Sequence, residues 1–101
     1  MMIDTNSGES ATSSIGQTPF LVGDDPVINT ALELVNIIRN TGKITIKGKG
    51  ERCPNAVSIA NIITENMLKD NSKTQRITID SDMMYDGQLI STIEIVIIKI
   101  N

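Results

Sequence analysis

Histidine is absent from the chain, aromatic side chains are reduced to Phe20 and Tyr85, and there is no tryptophan. Each absence removes a class of function. Without histidine the chain lacks the commonest general base and the commonest metal ligand. Two aromatics cannot build the stacking platform on which single-stranded bases are read. A single cysteine, Cys53, rules out an intramolecular disulfide and any Cys-x-x-Cys metal site, and it fits a reducing compartment. No apolar run approaches the ~18 residues that a membrane span requires. The first residues show no basic segment followed by a long apolar one, so no signal peptide is expected. These features lead us to expect a soluble protein of the cytoplasm.

The 101 residues amount to one domain, with 9 basic and 12 acidic side chains and a net charge of -3. An acidic average argues against strong indiscriminate binding to nucleic acid, yet permits a local basic patch. Isoleucine is the dominant apolar residue; it suits strands and also packs on helix faces.

Residues 1–18 are rich in Ser, Thr and Gly and poor in aliphatics. They cannot bury enough apolar surface to offset their ordering entropy, and a flexible tail is expected. The folded domain is expected over 19–101. Pro19 to Val22 reads as a short strand. Asp25 and Pro26 read as the cap and first position of a helix. Ile28, Ala31, Leu32, Val35 and Ile38 form its apolar stripe, and Gly42 suits the left-handed position beyond its end. Lys43 to Lys47 alternates as a half-buried strand, with a loop over 48–52. Pro54 opens a second helix to about Lys69, with Ala56, Ile59, Ala60, Ile63 and Met67 inward. Asp70 to Ser72 connects it to a strand over Arg76–Asp80, which has Ile77 and Ile79 on one face. Tyr85 to Gln88 is a hairpin tip, and Leu89–Ile100 the last strand, with Ile93, Ile95 and Ile97 on one face. The expected fold is therefore α+β, a single domain of order β-α-β-α-β-β. Its four-stranded mixed sheet carries two helices on one face.

Gly48-Lys49-Gly50, flanked by Lys47 and Arg52, is the most suggestive local feature. Glycines let a backbone approach a phosphate, and the helix start just beyond favours anions. The same residues also suit a plain strand-to-helix turn with solvated lysines, and neither the Rossmann nor the Walker pattern is met. Cys53 precedes Pro54 at a helix start but has no histidine partner, so an inert or capping thiol is expected. Asp80 and Asp82 could share a strand edge, but no second acidic cluster completes an oxygen cage for a metal. No catalytic constellation, cofactor or metal is expected. Val96, Ile98 and Ile100 give the last strand a second apolar face, which either another subunit covers or an exposed edge displays.

Three segments together resemble the Alba family of archaeal-type DNA- and RNA-binding proteins, over about Phe20 to Lys99. They are Val22-Gly23-Asp24-Asp25-Pro26-Val27-Ile28-Asn29; Ile44 to Gly50 with Asn55-Ala56-Val57; and Ser91-Thr92-Ile93-Glu94-Ile95-Val96-Ile97. The resemblance implies dimers whose basic face binds DNA or RNA with little sequence preference. Lys47, Gly48, Lys49, Gly50 and Arg52 are the implied contacts. The resemblance is to a divergent, acidic member. Asp24 and Asp25 stand where the family has paired lysines, Glu51 at a basic loop position and Asn55 at a lysine. The hairpin, Met83 to Gln88, is shorter than the family's and has no Arg or Lys. Affinity for a phosphate backbone follows the number of phosphates neutralised, so weak or conditional binding is expected. Two functions are compatible with this pattern. One is a non-enzymatic nucleic-acid-binding protein, associated with RNA or the chromosome. The other is an interaction subunit, as a homodimer or a heterodimer with a basic Alba paralogue.

Overall fold

The computed structural model describes residues 18–100; the expected N-terminal tail lies almost wholly outside them. The element order is β1 (Phe20–Leu21), α1 (Val27–Thr41), β2 (Lys43–Lys49), α2 (Cys53–Ile62), β3 (Ser72–Met83) and β4 (Leu89–Lys99). A 3₁₀ turn, Gly50–Arg52, precedes α2, and a π turn, Ile63–Met67, extends it. The strands form one sheet in the order β1-β2-β4-β3, with β1 parallel to β2 and the other pairs antiparallel. This is the expected α+β architecture.

Alternation in β2 and β4 sends Ile44, Ile46, Ile93, Ile95 and Ile97 to the helix side, where all are buried. Ala31, Leu34, Val35 and Ile38 of α1 and Ala56, Ile59, Ala60 and Ile63 of α2 and its extension close the core over them. The stripe of α1 is thus rotated from the expected one. Ile28 and Leu32 are about half exposed, while Leu34 is buried. Apolar residues occur on several faces of this helix, and packing against β2 selects the phase. Gly42 ends α1 at φ 84°, and its N–H donates to the Ile38 carbonyl, as a left-handed cap should.

The start of α1 differs from expectation. Pro26 is the capping residue, its carbonyl accepting from Thr30 N–H, and no side chain caps the helix. Asp25 therefore does not serve as the cap. The second helix also departs from a single α-helix, because Leu68 N–H donates to the Ile63 carbonyl and widens the last turn. β3 begins at Ser72, inside the expected connector, and extends well past Asp80. Almost every residue of β3 is exposed, so its first residues show no apolar alternation to mark a strand.

The second apolar face of β4 is also resolved. Val96 is buried on the side away from the helices, between its register neighbours Thr45 and Arg76. Long polar side chains can cover apolar surface with their stems, so this face needs no second layer at Val96. The uncovered apolar surface lies instead on the helix side of β3. Ile77 and Ile79 pair with Ile95 and Ile93 and so face the helices, yet they are 56% and 76% exposed. The helix α2 packs on β2 and β4, and β3 extends beyond it. Met83 and Leu89, paired farther along the hairpin, are exposed as well.

Candidate nucleic-acid interface

The five implied contact residues occupy the end of β2 and the turn after it. Lys47 and Lys49 alternate onto the open face of the sheet, opposite the helices, in register with Glu94 and Thr92. Arg52 lies in the 3₁₀ turn, so the structure brings these three cations to one end of the sheet.

The two glycines have packing reasons. A Cβ on Gly48 would lie 2.7 Å from the Arg52 carbonyl oxygen and 3.0 Å from Ala56 Cβ, so only glycine lets β2 run this close to α2. Gly50 has φ 56°, a conformation that side chains disfavour, and a Cβ there would also meet Ile90 at 2.9 Å. Cys53 is partly buried, its thiol 3.6 Å from the carbonyls of Gly48 and Ser91. That geometry gives it weak donor contacts to two strands.

Each cation here has a carboxylate partner. Lys47 is 3.6 Å from Glu94, and Lys49 is 3.6 Å from Asp82. Arg52 is paired with Asp24. All three pairs are partly exposed, and pairs of this kind contribute at most about 1 kcal/mol each. A phosphate could therefore exchange with the carboxylates, at the cost of breaking existing contacts.

Sequence reasoning missed a second group on the same open face. Lys43 and Lys73 both register with Ile98, one on each side of β4. Arg76 registers with Val96 on the next outward rung. Residues 73 and 76 of a regular strand would point to opposite faces. An irregularity between Thr74 and Arg76 brings both outward. Alternation read from the sequence could not reveal this, because the bulge changes the phase.

The described residues contain no group of three His, Cys, Asp or Glu side chains placed to hold a metal ion. Among them no helix is long and apolar enough to cross a membrane.

The Alba family model matches residues 20–81. The fold is similar to that of Alba from Thermoplasma volcanium, with a TM-score of 0.69 and 29% identity, covering 80% of this chain and 99% of that one. It is also similar to ALBA1 from Trypanosoma brucei, with a TM-score of 0.57 and 23% identity, covering 84% of this chain and 71% of that one; that likeness concerns the fold alone. The chain belongs to the Alba family, a non-enzymatic fold whose members generally bind nucleic acids and form oligomers.

Proposed function

We propose that this chain is a non-enzymatic protein that binds the phosphate backbone of DNA or RNA with little sequence preference, in the cytoplasm or on the chromosome. The supporting observation is the convergence of Lys47, Lys49 and Arg52 at one end of the sheet, on a chain of the Alba family. Their pairing with Glu94, Asp82 and Asp24 makes that contact conditional, since a phosphate must displace a carboxylate to use each cation. The near absence of aromatics leaves phosphate contacts as the main source of affinity, and such contacts carry no base information. Changing both Lys47 and Lys49 to Ala should weaken binding equally for unrelated sequences. Unequal loss would point to base reading instead.

The exposed helix-side face of β3 favours a second, compatible reading. Ile77, Ile79 and Met83 form an apolar strip at the sheet edge, suited to cover by a second Alba-type chain, either a copy of this one or a basic paralogue. In the paralogue case the partner would supply most of the phosphate contacts, and this chain would act as the interaction subunit.

A further inference from the structure

Charge is segregated along the sheet. Arg39, Lys43, Lys69, Lys73, Arg76 and Lys99 lie at the ends of α1 and α2, the starts of β2 and β3, and the end of β4, all at the end away from the hairpin tip. At the opposite end, Asp80 and Asp82 accompany Lys47, Lys49 and Glu94 on the open face, and Asp86 stands in the hairpin loop. Acids outnumber cations among these residues, four to two. At the first end the open face carries Lys43, Lys73 and Arg76, and no carboxylate shares their two rungs, where the β4 residues are Ile98 and Val96. The nearest acid of β4 on that face is Glu94, one outward rung beyond Val96, and it is engaged by Lys47. Asp70 precedes β3 in the connector, in a left-handed conformation. None of the three cations takes part in the ion pairs among the described residues, which are Lys47–Glu94, Lys49–Asp82 and Arg52–Asp24.

The arrangement is more than protection of an edge. Lysines often guard edge strands against pairing with other chains, and that role suffices for Lys73 on β3. It can serve Lys43 too, because β1 pairs with β2 only at Ile46 and Lys47. It does not explain the bulge that turns Arg76 to the face of Lys73. With strands about 4.8 Å apart, the Lys43 and Lys73 backbones are separated by roughly 10 Å, with Arg76 one rung beyond. Flexible ammonium stems and a forked guanidinium on that spacing can neutralise neighbouring phosphates. The apolar residues between them offer little to a folded protein partner, since Val96 is buried and Ile98 half-buried.

We propose that Lys43, Lys73 and Arg76 form a second phosphate-contact surface on the open face of the sheet, one that takes the phosphodiester backbone of a nucleic acid. This inference rests on the nucleic-acid reading above but places the main contact at the opposite end of the sheet. A phosphate at this site displaces none of the carboxylates Glu94, Asp82 and Asp24.

The test is fluorescence anisotropy with the full chain, titrated with salt, on a duplex DNA and on a single-stranded RNA of equal length. Replacing Lys43 and Lys73 together by Gln keeps their stems and leaves Arg76 beside Val96. The double variant should melt as the wild type does. On duplex DNA its logarithmic salt slope should be shallower by roughly 1.8, at about 0.9 per lost phosphate contact. The matched variant with Lys47 and Lys49 replaced by Gln should lose less. The two ligands distinguish duplex from single-strand use of the surface. A Lys43/Lys73 variant that binds as wild type, while the Lys47/Lys49 variant loses binding, would overturn this inference and leave the nucleic-acid reading intact. A wild type that binds neither ligand at low salt would overturn both. Equal competition by polyglutamate at matched charge would assign the surface to acidic protein and overturn the inference alone.

Discussion

The guanidinium of Arg52 donates to the carboxylate of Asp24 across 28 positions of chain, tying the turn after β2 to the turn after β1. A cation implied as a phosphate contact is thus held by an acid at a position where the family carries a lysine. By the resemblance a cation is expected at position 24, so the carboxylate there both withholds one positive charge and occupies a neighbouring one. Replacing Asp24 by Lys should therefore act twice, adding a cation and releasing Arg52. Affinity for duplex DNA should rise, and the logarithmic salt slope should steepen by about 0.9 for one new contact and about 1.8 for two. An unchanged slope in a folded variant would exclude this end of the molecule from the interface.

Asp25 should tolerate change better than a capping residue would. Its side chain makes no capping bond, so the roughly 1 kcal/mol usual for loss of a cap is not expected. Asp25→Lys should alter unfolding free energy by no more than about 0.5 kcal/mol, the range of ordinary surface changes. Urea denaturation gives the comparison, and a loss near 1 kcal/mol or more would contradict it.

Gly48→Ala should destabilise the fold. The added methyl would press on the Arg52 carbonyl and on Ala56 at distances backbone cannot accommodate without moving. Overpacking of this kind costs about 1–3 kcal/mol. Gly23→Ala is the control, since nothing lies within 4 Å of the position its Cβ would take. Thermal melts should separate the two variants by several degrees; equal melting temperatures would mean that β2 and α2 are less closely apposed than described.

Self-association should depend on the helix-side edge of β3. Ile79 is 76% exposed, so Ile79→Lys should leave monomer stability within about 0.5 kcal/mol of wild type. Light scattering at micromolar concentration should give a dimer mass for wild type and a monomer mass for the variant. A dimer in both would place the interface elsewhere.

Much of this architecture is legible from local pattern. Gly42 follows an apolar helical period, and its left-handed conformation is the ordinary consequence. Ile93, Ile95 and Ile97 alternate, and burial follows from the period of two. What was not legible depends on partners distant in sequence. The phase of α1 is set by which apolar side chains meet β2, and Val27, Ile28, Leu32 and Ile37 blur it. The π turn after Ile62 and the bulge before Arg76 leave no mark in composition, so the face reached by Lys73 and Arg76 was hidden. The implied contacts Lys47, Lys49 and Arg52 do cluster, but their carboxylate partners come from elsewhere in the chain: Glu94, Asp82 and Asp24. Register accounts for the Lys47–Glu94 pair alone; the other two pairs appear only in the folded chain.

The central claim is phosphate-directed binding of nucleic acid, and a salt titration of the wild-type chain tests it most directly. Binding to a duplex DNA, a single-stranded RNA and a structured RNA would be followed from about 20 to 200 mM salt. The account predicts binding at low salt that falls linearly on logarithmic axes, with a slope of at least about -1.8 for two or more duplex phosphate contacts and little dependence on sequence. No binding to any of the three at the lowest salt would contradict it.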